Sequence, residues 1–113
     1  MTIDQKIDVI SQPLLLIVSE LEDNETINLL VSYNLKNVFG QDSKLSRKEK
    51  LDIRKKQLDQ RCEFYKTNNI EFNPLYAIGM VSAHLSKDHI YQLTLMEGIR
   101  RIYPADGKIY NTD

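Results

Sequence analysis

Nine of the chain's fifteen lysines and arginines fall between residues 44 and 66. Within that stretch Arg47, Lys50, Arg54 and Arg61 recur at spacings that place them along one side of a helix. A row of guanidinium and ammonium groups is the chemistry of phosphate recognition, on nucleic acid or another polyanion. Four such contacts to B-DNA would make log affinity fall with log salt at a slope of about −3.6. The same helix carries Glu49, Asp52, Asp59 and Glu63 on a separate flank. Asp52 reaches Lys55 and Lys56, and Lys55 reaches Asp59, at i+3 or i+4. Each such pair stabilises the helix by about 0.2–0.5 kcal/mol without any ligand. The acidic flank would also repel a wrapped polyanion. Internal ion pairing is therefore the favoured reading of the stripe, and polyanion or partner binding the alternative.

Other reactive side chains are sparse. Cys62 is the only cysteine, so the chain has neither an intrachain disulfide nor a cysteine-based zinc site. It falls on the apolar edge of its helix with Leu51, Leu58 and Tyr65, where a thiol acts as a small hydrophobe. His84 and His89 are five apart, roughly 140° around a helix, so they cannot share a metal. There is no Gly-rich phosphate loop and no Gly-x-Ser-x-Gly elbow. Glu20–Glu25 lacks the spacing and central glycine of a calcium loop. No catalytic residue, cofactor or metal site is expected, and the chain reads as non-enzymatic.

Charge is distributed unevenly. Residues 1–43 hold seven acids and two bases, residues 44–66 nine bases and four acids, and residues 67–113 four bases and five acids. The total of −1 hides an acidic first third and a basic middle, which can join elements of one fold or two copies of the chain. The longest aliphatic run, Leu14–Val18, is only five residues, far short of the roughly 20 that span a membrane. No apolar signal segment follows the N-terminal Met-Thr-Ile-Asp-Gln-Lys, so a cytoplasmic location is expected.

The elements that would position these groups read as helices. A short helix runs to about Gln12, and a second from Pro13 to Leu21, where Leu14–Val18 is apolar all round and belongs in the core or at a subunit contact. Ile27, Leu30, Val31, Asn34 and Val38 suggest a helix over 25–39 that stops at Gly40, before a linker at 41–44. Ser46-Arg-Lys-Glu49 is a capping box that opens a helix to about Lys66. Asn73-Pro74 starts another to Leu85, with Gly79 and Ala83 allowing close helix packing. A last helix covers 88–102, with a strand over 89–95 as the alternative. Pro104–Gly107 is a turn, flanked by residues that could form a small β-hairpin. The pair of helices around Ser86-Lys87-Asp88 makes a poor helix-turn-helix, since its second helix offers few basic groups to DNA.

The expectation is one all-α domain over 1–113, a bundle of about five helices. Its expected function is a small regulator or adaptor, homodimeric and bound to a protein partner, away from membranes. Nucleic-acid binding by the helix over 46–66 is the alternative. A small-molecule pocket near Tyr76, Gly79 and Met80 is a further one. Tyr103 and Tyr110 beside Arg100 and Arg101 are a candidate contact patch.

Overall fold

The computed structural model describes residues 9–35 and 46–111. Its order is α1 (Gln12–Ser19), β1 (Glu25–Tyr33), α2 (Arg47–Arg61), α3 (Glu63–Thr67), β2 (Phe72–Leu75), β3 (Met80–Leu85), α4 (Lys87–Leu95) and β4 (Ile99–Asn111). The four strands form an antiparallel sheet in the order β2-β3-β1-β4. With α2–α3 between β1 and β2, and α4 between β3 and β4, the connectivity is split βαβ, or ferredoxin-like. The protein is therefore mixed α/β, which overturns the expected all-α bundle of about five helices.

Alternation explains the correction. Ile27, Leu29, Val31 and Tyr33 on β1, and Val81, Ala83 and Leu85 on β3, are buried at every second position. Ile27 pairs with Leu85, Leu29 with Ala83 and Val31 with Val81, so the seven side chains share one face. That face meets Leu14 and Val18 of α1, Leu58 of α2, Tyr65 of α3, and Ile90 and Leu93 of α4 in one core. Four buried side chains on β1, at about 1.5–3 kcal/mol each, outweigh helix-propensity differences of a few tenths per residue. The segments expected as helices over 25–39 and 73–85 are thus β1 and the β2–β3 hairpin; the former's last residues, 36–39, the stop at Gly40 and the linker lie outside the described residues. Gly79, at φ +67°, turns β2 into β3, and Ala83 is a strand residue of the core rather than a helix contact. Pro74, which has no N–H to donate, sits on the edge strand β2.

The helix starts expected near Pro13 and at Ser46 hold, whereas those expected at residue 25 and at Asn73-Pro74 fall in strands. Ser11 caps α1, its hydroxyl accepting from Leu14 N, and Pro13 lies in the first turn. Ser46 Oγ accepts from Glu49 N at 3.1 Å and opens α2. The expected single rod over 46–66 is interrupted at Cys62, after which α3 resumes. The last helix ends at Leu95, not 102, and Gly98, at φ +86°, turns the chain into β4. Residues 89–95 are helical, as favoured.

The hairpin around Pro104–Gly107 does not form. Both of its arms pair with β1: Ile102 with Val31, and Ile109 with Ile27. Between Pro104, opposite Leu29, and Ile109, opposite Ile27, β4 carries a wide bulge. Among the described residues, no helix is long and apolar enough to cross a membrane.

Candidate interaction surface

Among the described residues, all the packing helices cover one side of the sheet. On the other side stand Thr26, Asn28, Leu30 and Ser32 of β1, and Met80, Ser82 and His84 of β3. These residues alternate with the core positions; Ser32 is buried and the others are half-buried. Asn73 and Leu75 pair with Ser82 and Met80, which puts them on the same face from β2. Arg101, Tyr103 and Tyr110, opposite Ser32, Leu30 and Thr26, put them there from β4. Tyr103 and Tyr110 are 38% and 36% exposed, as the sequence suggested, and Arg100 and Arg101 are exposed too.

Polar contacts order one end of this face. Ser82 Oγ donates to Asn28 Oδ1 at 3.2 Å. The His84 and Tyr110 rings meet edge-on across β1, with centroids 4.8 Å apart. The bulge of β4 brings Asp106 onto the same end: Tyr110 Oη donates to its Oδ2 at 2.5 Å, and Lys108 N to its Oδ1 at 2.9 Å. These donors, with Asn28, hold the Asp106 carboxyl below its usual pKa, while Asp106 raises the Tyr110 phenol. Asp106 is thus a fixed negative charge at neutral pH. A cleft of about 660 Å³ continues from this end around the edge of the sheet, lined by residues including Glu71, His84, Ser86 and His89. It brings the two histidines to one place, which their helical spacing did not suggest. Among the described residues, however, no three metal-ligating side chains converge.

The expected basic stripe divides at the opposite end of the sheet. Arg47 is exposed and Lys50 half-buried on the first turn of α2. Arg54 and Arg61, both half-buried, turn towards the sheet. A Cβ built on Gly79 would lie 3.2 Å from Arg54 Nη2, and one built on Gly98 only 2.7 Å from Arg61 Nη2. The two glycines accept the N–H groups of Tyr33 and Asn34, where β1 ends. Arg54 and Arg61 therefore fill space above the two turns that close the sheet. Leu51, expected on the apolar edge, is 44% exposed, while Leu58, Cys62 and Tyr65 are buried there.

The space next to Gly79 is occupied by Arg54 and by Leu35. Nearby, Tyr76 Oη donates to Asp59 Oδ1 at 2.7 Å, and Lys55 Nζ lies over the Tyr76 ring. Tyr76, Gly79 and Met80 do not line the cleft described above. Cys62 is a buried free thiol, and burial, followed by the charge of Asp59, raises its pKa. A thiol kept protonated in this way is a weak nucleophile.

Compared with known protein families, curated proteins and solved structures, the chain matches none.

Proposed function

We propose that this chain is a small non-enzymatic interaction protein, a regulator or adaptor, that works as a homodimer. One observation carries the reading: among the described residues, helices cover one face of the sheet, and the other face presents Leu30, Leu75, Met80, Tyr103 and Tyr110 among hydrogen-bonding groups. Large apolar side chains mixed with polar ones are the composition of a contact surface. The helical layer adds Leu16 at 60% and Ile17 at 44% exposure, from the apolar segment expected in the core or at a subunit contact. No cofactor or metal is invoked, and the proposed compartment is the cytoplasm, where a single thiol stays reduced.

Light scattering coupled to size exclusion, over a hundredfold range of concentration, tests the reading. The expected mass is twice the 13.2 kDa of the chain. A monomer throughout the micromolar range rejects it.

A second reading has its own observation. Arg100, Arg101 and Lys108 accompany two exposed tyrosines on β4, as a single-stranded nucleic acid would require. Oligonucleotide binding that weakens steeply with salt would favour it over the first reading.

A further inference from the structure

Charge on the bare face of the sheet is polarised along the strands. Arg101 stands opposite Ser32 at one end. The Asp106 carboxylate stands at the other, joined to Tyr110 and beside Asn28. Ser32 and Asn28 are four residues apart on β1, or about 13 Å at the strand rise. Leu30 lies midway, with Tyr103 opposite it on β4 and Ser82 on β3. The face therefore has Leu30 and Tyr103 at its centre, Arg101 at one end, and the Asp106 carboxylate with Lys108 beside it at the other.

We infer that this face is the homodimer interface, with the twofold axis running across the strands at the level of Leu30. The inference rests on the homodimer reading and assigns it a surface. A face-to-face dimer of this sheet can be built about an axis along the strands or across them. An axis along the strands keeps each end where it is and swaps β4 with β2. Arg101 would then meet the apolar Leu75–Met80 side, and its charge would be desolvated without a partner, which is costly. An axis across the strands swaps the ends and keeps β4 over β4. Arg101 of each copy then lies opposite the partner's Asp106, and the pair forms twice. Leu30 and Tyr103 of both copies meet at the centre. Such a contact is isologous, as closed dimers require, and matches the face-to-face packing of twisted sheets. The Asp106 carboxylate still has acceptor sites for a guanidinium beyond the bonds it makes within the chain. A polyanion fits the face less well, because Asp106 and Glu71 would repel its phosphates.

Charge reversal of the full chain tests the assignment. Arg101→Glu and Asp106→Lys are each expected to weaken dimerisation at least tenfold by analytical ultracentrifugation. The combined variant should return to within about threefold of the native constant. Because Asp106→Lys also removes the Tyr110 bond, circular dichroism checks its fold, and a second measurement stands apart from it. Leu30→Cys treated with a bismaleimide about 10 Å long should give a covalent dimer, and Leu16→Cys should not. A native dimer that ignores both reversals, or that crosslinks through Leu16→Cys and not Leu30→Cys, overturns the interface and leaves the homodimer standing. A native monomer overturns both, as does a monomer that binds a single-stranded oligonucleotide through this face.

Discussion

The hydroxyls of Tyr33 and Tyr65 meet at 2.5 Å inside the core, joining the end of β1 to α3. Tyr65 is fully buried and its ring stacks on Phe72 of β2, with centroids 5.3 Å apart. The pair thus ties the helical layer to two strands. Removing one hydroxyl leaves the other buried without its partner, which costs about 1–3 kcal/mol. Tyr33→Phe and Tyr65→Phe should each destabilise by that amount in urea unfolding, and the double variant by clearly less than their sum.

The same pair sets an alkaline limit. Burial pushes the Tyr33 phenol from 10.0 to about 12, and the Tyr65 phenol is raised as well, by burial and then by Tyr33. A folded pKa above the unfolded one means that the native state holds the proton more tightly. This contribution is complete below pH 10 and is lost as pH rises from 10 towards 12. Thermal melting at pH 8, 10, 11 and 12 should show Tm falling across that window. Replacing both tyrosines with Phe should remove the part of the fall that depends on them.

Gly98 is held in place by its backbone and by its neighbour. It sits at φ +86°, and an added Cβ would lie 2.7–2.8 Å from the Arg61 guanidinium. Gly98→Ala is expected to cost about 1–3 kcal/mol in denaturant unfolding. Gly79→Ala should cost less, since its Cβ would have 3.2 Å to Arg54 and Leu35. Adding Arg61→Ala to Gly98→Ala should recover the steric part of the loss and leave the dihedral part.

Asp106 offers an acid-side check. Its carboxyl is held low first by the Tyr110 hydroxyl and then by Lys108 N. Its stabilising effect is present above the unfolded pKa and disappears as pH falls through the lower, folded one. NMR titration of Tyr110→Phe should move the Asp106 midpoint up towards 3.8. An unchanged midpoint would mean that the phenol does not hold the carboxylate.

Local signals in the sequence placed the beginnings of α1 and α2, because Ser11, Pro13, Ser46 and Glu49 act on the first turn beside them. The sequence also marked Tyr103 and Tyr110 as exposed and Cys62 as a buried small hydrophobe. Around β1 the local pattern was ambiguous. Leu29-Leu30-Val31 is a continuous apolar run, and Ile27, Leu30 and Val31 suit a helix as well as Ile27, Leu29 and Val31 suit a strand.

Only pairing between distant segments resolved that ambiguity. Leu29 becomes a core residue because Ala83, 54 positions away, lies beside it on the same face. The candidate surface depends on the same long-range register, which sets Arg101 against Ser32 and brings Asp106 and Tyr110 over Thr26 and Asn28. The sequence by itself determined the caps at Ser11 and Ser46 that open α1 and α2, since a cap depends on a residue and its near neighbours. Tertiary structure alone decided the fold class and the opposed charges of the bare face, because a strand has no internal hydrogen bonds and is defined only by the chain beside it.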